Sequence, residues 1–291
     1  MTKRARVALA TYEKAPRLAP DDRGLIAALD RVGIAAEPAV WSRGRDWDSF
    51  DAVVVRSCWD YHRRHEEFLL WVQRLADHGI RTWNSPSLIR WNSDKRYLLE
   101  LSKSGLAIVP TVVISQGTPD DVVDACVARG WTRFVVKPAV SASGYETHAL
   151  ATPLDDESRA NVARATALGD VLVQPFVDEI AREGEYSFTF IEGAFSHAAI
   201  KRAANGEFRV QTEYGGSVTP IDPPAELGEQ AARALAALPE TPLYARIDGV
   251  ALDGKFVLTE LELIEPNLFL EHSQGATDRL AQAIAGRLSH R

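Results

Sequence analysis

Along the chain, short runs that are apolar at every position alternate with longer stretches whose apolar residues recur every third or fourth place. The continuous runs read as strands buried on both faces and the helical spacing as helices laid over them, so the chain predicts an α/β fold. Residues 7–10 and 52–55 are the first such strands. Between them, Asp21 and Asp22 open a helix with Leu25, Ile26, Leu29 and Val32 on one face and Gly33 as its stop. A second helix, over 66–77, sets Phe68, Leu69, Val72 and Leu75 at helical spacing. Asn84, Ser85 and Pro86 mark a boundary, after which Asn92 or Ser93 caps a helix that carries Lys95 in its first turn and ends at Gly105. Strands follow at 108–114, 134–137 and 171–177, separated by a helix from Thr118-Pro119 to Gly130 and another near 155–168. The last third reads as strands at 186–191, 198–202, 208–211, 245–250 and 256–264, with helices around 225–238 and 274–289.

Composition narrows the class. The 291 residues are 46% hydrophobic and 25% charged, enough apolar chain for a substantial core and too much for a disordered one. Forty acidic against 33 basic residues leave a net charge of −7, which argues against a protein that coats nucleic acid or an anionic membrane by bulk charge. A locally basic cleft for one small anion stays open. Cys58 and Cys126 are too few for a zinc knuckle or a disulfide framework, which suits a reducing cytoplasm. The basic start, Met1 to Arg6, precedes an apolar run too short for a signal peptide, and no stretch approaches the roughly 18 apolar residues of a spanning helix. A cytoplasmic location without a membrane partner is the expectation. Six of the seven tryptophans (Trp41, Trp47, Trp59, Trp71, Trp83, Trp91) crowd one window, where core packing is their expected role.

The strongest chemical signal is the run from Phe256 to Pro266. Residues two apart in a strand share a face, so Glu260 and Glu262 point the same way within an apolar stretch, as do Leu258 and Ile264. Two carboxylates about 4 Å apart repel by roughly 4 kcal/mol at an effective dielectric of 20, so a buried strand needs a cation between them. Asp248, in a second apolar strand, is a third oxygen donor, and such a set suits a hard ion, Mg²⁺ or Mn²⁺. The competing reading is a half-exposed strand with solvated glutamates. Lys137 ends a strand just before the small-residue loop Ser141-Ala142-Ser143-Gly144, the kind of place where α/β folds offer backbone N–H groups to phosphate. Lys201 and Arg202, then Arg209 and the pair Gly215-Gly216, form either an anion cradle or a plain glycine hairpin. Arg56 directly follows strand 52–55, at the end where open sheets gather ligands. It is expected to meet a substrate carboxylate, with Trp59 and Tyr61 beside it and Asp60 on an ammonium group. The alternative is an ion pair between lobes, with Asp22 as a helix cap. Cys58 has no identifiable histidine partner and is not a nucleophile.

Lys95, Lys137, the 141–144 loop, Gln174-Pro175-Phe176-Val177, the Arg209–Gly215-Gly216 element and the three acids occur in a fixed order. In that order the chain resembles the ATP-grasp superfamily, in the branch of prokaryotic glutathione synthetases and ribosomal-protein glutamate ligases. Residues 56–61 and 260–266 are most similar to the O-ureido-D-serine cyclo-ligases of that branch. The resemblance spans about residues 5–288 and is specific across 92–267. It implies a substrate lobe over 1–88 and an ATP-grasp domain over 89–291, whose two α+β lobes (89–173 and 174–291) clamp ATP. Lys95 and Lys137 would contact the nucleotide phosphates, and Ser141, Ser143 and Gly144 would close over them. Gln174, Phe176 and Val177 match the adenine hinge, and Glu179 or Glu185 the acid that takes the ribose. Lys201 belongs to the nucleotide side, Arg209 meets phosphate or acceptor, and Gly215 and Gly216 flank the substrate. Asp248, Glu260 and Glu262 match the metal ligands, with Glu262 standing where the commoner pattern has asparagine.

The implied reaction is ATP-dependent. A carboxylate attacks the γ-phosphate, and a nitrogen nucleophile then displaces phosphate to form an amide-type bond or ring, with Arg246 beside Asp248 stabilising the oxyanion. The expected partner is a small amino-acid-like molecule, with no nucleic acid, and a homodimer is compatible with the chain. The alternatives are a ligase for a peptide or protein terminus and a catalytically silent nucleotide-binding regulator. A hydride-transferring Rossmann enzyme is excluded by the absence of a Gly-x-Gly-x-x-Gly after the first strand.

Overall fold

The structure is a computed structural model that describes residues 4–289; the first three residues of the basic start and the last two of the chain lie outside it. Strands β1 (Arg6–Thr11), β2 (Ala35–Val40), β3 (Ala52–Ser57) and β4 (Arg81–Trp83) form a parallel sheet in the order β2-β1-β3-β4. Its strands alternate between two buried faces. Val7, Leu9, Ala52 and Val54 face one core, while Ala8, Ala10, Val53 and Val55 face another. Helix α1 (Arg23–Arg31) covers the first face with Leu25, Ala28 and Leu29, and α2 (His65–Asp77) covers the second with Phe68, Trp71, Val72 and Leu75.

Two short helices, α3 (Pro86–Asn92) and α4 (Tyr97–Lys103), lead into an antiparallel sheet. It is built of β5 (Val112–Ile114), β6 (Arg133–Pro138), β7 (His148–Ala151) and β8 (Val171–Pro175) in the order β5-β8-β6-β7. Helices α5 (Pro119–Val127) and α6 (Asp156–Thr166) pack on it; α5 starts with a capping box between Thr118 and Asp121. After α7 (Asp178–Glu183), a second antiparallel sheet comprises β9 (Glu185–Ile191), β10 (Ala194–Arg202), β11 (Ser217–Ile221), β12 (Tyr244–Leu252) and β13 (Lys255–Glu262), ordered β11-β10-β9-β12-β13. Helix α8 (Ala225–Ala236) packs against β12 and β13. The closing helix α9 (Ala276–Ser289) returns to the first sheet and seals the α1 face with Ala276, Leu280, Ala281 and Ile284. Among the described residues no helix is long and apolar enough to cross a membrane.

Several elements differ from their expected form. Strand β2, with Glu37 and Pro38 at its centre and only partial burial, escapes a search for apolar runs. Asp21 and Asp22 lie in a 3-10 turn (Pro20–Asp22) and cap nothing with their side chains; α1 begins at Arg23. The helix expected from 92 is broken. Asn92 ends α3, and Lys95 sits in the turn before α4, its N–H donated to the Ala139 carbonyl at 2.8 Å. Asn84, at the expected boundary, is fully buried: it donates to the carbonyls of Tyr244 and Leu263 and accepts from the Leu243 N–H. Residues 208–211 are irregular, and the extra edge strand is β11 instead.

The most consequential difference lies in β13. Asp248 pairs with Glu260 but Gly249 pairs with Leu258, so Thr259 is an extra residue, a bulge. The bulge resets the alternation. Phe256 and Leu258 face the core together with Leu261 and Leu263, whereas Thr259, Glu260 and Glu262 line a cleft. Being an edge strand, β13 leaves backbone groups to satisfy. Asn92 bonds the Leu261 carbonyl and the Leu263 N–H, and the Tyr97 hydroxyl accepts from the Leu261 N–H at 3.0 Å. Side chains from α3 and α4 thus fix the strand that carries the two glutamates.

Candidate active site

A cleft of about 760 Å³ opens where the three sheets meet. Val109, Val135, Phe176, Ile180, Phe208 and Val210 give the cleft apolar lining, to which Gln174 and Val177 also contribute. Gln174 donates to the Thr111 hydroxyl at 2.8 Å, and the Phe176 N–H is donated to the Arg133 carbonyl. Ser141, Ser143 and Gly144, on the loop between β6 and β7, line the cleft beside Lys137. Lys137 makes no ion pair among the described residues; burial, with like-charged Lys95 nearby, pulls its pKa down despite Glu260. An unpaired ammonium in a cleft is a ready partner for phosphate.

The floor is a chain of alternating charge. Lys95 binds Glu260, Arg246 binds both Glu262 and Asp248, and Lys201 binds Asp248 and Glu185 at 2.7 Å each. Burial would discharge Lys95, but Glu260 outweighs it and the pKa rises. Glu260 is in turn lowered, since Lys95 and Lys137 overcome its own desolvation. Glu262 goes the other way, pushed up to about 7 by burial, with Glu260 and Asp248 adding to the effect against Arg246. Glu265 is raised well above the carboxylate range by burial and then by Glu262. The cleft therefore holds more buried carboxylate than its own cations settle. A divalent cation between Glu260 and Glu262 would relieve that excess, and the donor set fits Mg²⁺ or Mn²⁺.

Asp248 departs from the metal-ligand expectation as placed. It does not line the cleft; its carboxylate accepts from Arg246, Lys201 and the Ser187 hydroxyl, and against its burial Arg246 and Lys201 hold its pKa well below the usual range. Among the described residues no three His, Cys, Asp or Glu side chains converge as a metal cluster. Asp248 is instead ion-paired with Arg246 at 2.9 Å.

Arg56 is also corrected. At 1% exposure it lies outside the cleft, paired with Asp22 at 2.8 Å, donating to the Pro266 carbonyl and stacked over the Tyr244 ring at 4.7 Å. The ion pair itself lies within the first lobe, and the bond to Pro266 and the stacking on Tyr244 tie it to the rest of the chain. Asp60 likewise turns away and accepts from the Trp41 indole at 2.8 Å, whereas Trp59 and Tyr61 do line the cleft. Gly215 and Gly216 do not line it; their role is shape, since a Cβ on Gly216 would sit 2.3 Å from the Val210 carbonyl oxygen. Arg209 lines the cleft, paired with Glu207 and stacked 3.5 Å from the Tyr214 ring centroid. Of the two acids left open, Glu185 lines the cleft and Glu179 pairs with Arg182 outside it.

Asp21, Asn267, Glu271 and His272 line the part of the cleft nearest the first sheet and were not anticipated. Asp21 accepts the Glu271 N–H through Oδ1, while its buried Oδ2 has no partner among the described residues. Burial, then neighbouring Asp22, pushes its pKa up to about 6. The available signal was the doublet Asp21-Asp22 just beyond the carboxyl end of β1, a ligand-gathering position in open sheets.

Comparison with known proteins places this geometry. Residues 7–84 match the family model of the N-terminal domain of the D-cycloserine synthetase DcsG. The chain is 37% identical over 279 residues to the cycloserine biosynthesis protein DcsG of Streptomyces lavendulae, covering 91% of this chain and 92% of that one. Among solved structures, D-cycloserine synthetase DcsG superposes with a TM-score of 0.89 at 34% identity over 98% of this chain and all of that one. D-alanine–D-alanine ligase of Bacillus anthracis complexed with ATP superposes at 0.72 with 17% identity, over 98% and 97% of the two chains, a likeness of fold.

Proposed function

Since this chain belongs to the ATP-grasp ligase family of the D-cycloserine synthetase DcsG, we propose that it closes a ring on a small amino acid at the expense of ATP. It is an ADP-forming ligase with two jobs to combine: neutralising a triphosphate and holding an amino acid against it. The observation that carries the reading is one cleft with an apolar wall, five cationic side chains (Lys95, Lys137, Lys201, Arg209, Arg246) and an acid at the amino-acid side with one oxygen unsatisfied among the described residues.

In this reading Lys137, Lys95 and the 141–144 loop grip the phosphates, and Lys201 exchanges part of its hold on Asp248 for them. Glu260 and Glu262, with Asp248 adjacent, would hold Mg²⁺, which supplies charge neutralisation for phosphoryl transfer. The substrate carboxylate takes the γ-phosphoryl group, ADP leaves, and a nitrogen of the same molecule attacks the activated carbonyl and expels phosphate. Arg246, held by Asp248 and the Asn267 carbonyl, faces the oxyanion that forms. Asp21, not Asp60, receives the substrate ammonium group. Trp59 and Tyr61 wall off water, which would otherwise hydrolyse the acyl phosphate.

A small substrate is favoured over a peptide because the described first lobe carries no element beyond its four strands and the helices that cover them. The test is ADP release with ATP and a panel of amino acids bearing ureido or aminooxy side chains, with product identified by mass. Stimulation by a compound that emerges cyclised supports the reading. Stimulation only by an added second amine or peptide, or none by any carboxylate while ATP still binds, removes it.

A further inference from the structure

The loop carrying Ser141, Ser143 and Gly144 has two faces. Residues 141–144 and Thr147 line the cleft, whereas Tyr145 turns its ring to the first lobe. There it lies 5.1 Å from the His62 ring and 4.9 Å from the Arg63 guanidinium. Both partners belong to the 3-10 turn Tyr61–Arg64, whose first residue lines the amino-acid side of the cleft. Burial, with Arg63 and Lys95 close by, pushes the His62 pKa down to about 4, so a neutral imidazole meets the phenol ring and Arg63 brings the positive charge. Ala142 adds a contact with the first lobe's core.

The opposite side of the loop is equally tight. Gly144 has φ +66°, and a Cβ there would meet Tyr214 at 3.3 Å and Arg209 at 3.4 Å. Two successive turns, Tyr145 N–H to Ala142 carbonyl and Thr147 N–H to Gly144 carbonyl, give the segment a defined shape. Glu146 pairs inside its own lobe with His148 and Arg164. The aromatic bridge to the first lobe therefore falls to Tyr145.

We propose that Tyr145 is a positioning residue: clasped by His62 and Arg63, it makes closure of the phosphate-side loop depend on the seating of the amino-acid lobe. The proposal rests on the ATP-dependent reading above. Its physical sense is that a nucleotide enclosed without its acceptor loses phosphate to water, and a latch made of groups remote from the nucleotide ties the two events together.

The experiment compares Tyr145→Ala, Arg63→Ala, the double variant and Tyr145→Phe. The readouts are KM for ATP, kcat, ADP formed without ring product, and hydrogen exchange of 139–147 with and without a non-hydrolysable ATP analogue. Tyr145→Ala is expected to raise KM for ATP about tenfold with kcat changed less than about threefold, and to lose analogue-induced protection of the loop. Arg63→Ala, an exposed substitution safe for the fold, is expected to give part of the same loss. The double variant should be no worse than Tyr145→Ala, and Tyr145→Phe should behave as the native chain. Additive losses, or a loop equally protected in Tyr145→Ala, would overturn the proposal. If no amino acid supports turnover the ring-closing reading fails, but analogue affinity and exchange still decide the latch.

Discussion

Arg56 with Asp22 and Arg246 with Asp248 are the same chemical pair, each a guanidinium on a carboxylate within 3 Å and nearly out of water. Their surroundings separate them. Arg56 and Asp22 are surrounded by neutral groups, the Ser57 hydroxyl, the Pro266 carbonyl and the Tyr244 ring, with Arg56 Nη1 left without an acceptor among the described residues, and neither lines the cleft. Arg246 meets a second acid in Glu262 and Asp248 a second cation in Lys201, and the chain they form opens on the cleft. A closed pair can only hold parts of the molecule together, whereas an open chain can exchange one partner for a ligand. Buried charge alone does not mark a site; unfinished charge beside a cavity does.

The largest effect that would break this contrast is at Glu260. Glu260→Gln is expected to cut ADP release about a thousandfold while the melting temperature stays near that of the native chain. Full activity would remove Glu260 from the open chain. Arg56→Leu should act in the opposite manner, destabilising by about 3–5 kcal/mol in denaturant because Asp22 is left buried and alone, with the folded fraction turning over normally. A raised substrate KM without loss of stability would mean that Arg56 touches substrate after all. Gly216→Ala, which forces a methyl group onto the Val210 carbonyl, is expected to cost about 2 kcal/mol, read as a lower melting temperature and weaker ATP binding together.

The smallest effect concerns Asp21. Its folded pKa lies near 6 instead of 3.8, so burying the ionised form opposes folding: the penalty is absent below about pH 4, grows through pH 6 and is complete above it. Asp21→Asn should remove that part of the pH dependence of stability. An ammonium ligand needs the ionised acid, so KM for the amino acid should fall as pH rises through about 6, by roughly tenfold, and the Asn variant should flatten the profile. A KM indifferent to both changes would place the ammonium elsewhere.

The sequence reading recovers most of what depends on neighbours along the chain. The opening of α5 at Thr118-Pro119, the apolar strands of the first sheet and the two glutamates on one face of β13 are all local patterns. It misplaces what depends on distant partners. Arg56 stands where an open sheet gathers ligands, but Asp22, 34 residues earlier, and Pro266, 210 later, claim it first. Trp41 does the same to Asp60. The bulge at Thr259 is invisible because the run 256–264 is apolar enough to alternate in either phase, so Leu258 and the glutamates are assigned one face when they occupy two. Asp21 was passed over because a doublet of acids before a helix reads as a cap.

Helix α9 carries a consequence for how the molecule comes into being. Its apolar face completes the core of a sheet whose strands lie within the first 83 residues, so among the described elements the piece that finishes the first lobe leaves the ribosome last. Until it docks, Val7, Leu9, Leu25 and Val54 keep one flank uncovered, and the arm meant to cradle the amino acid stays unmade. Nucleotide grip and acceptor grip thus mature in reverse of their order along the message. A nascent chain cut short of Ala276 would have both ATP-side sheets in hand and no firm lobe to set against them.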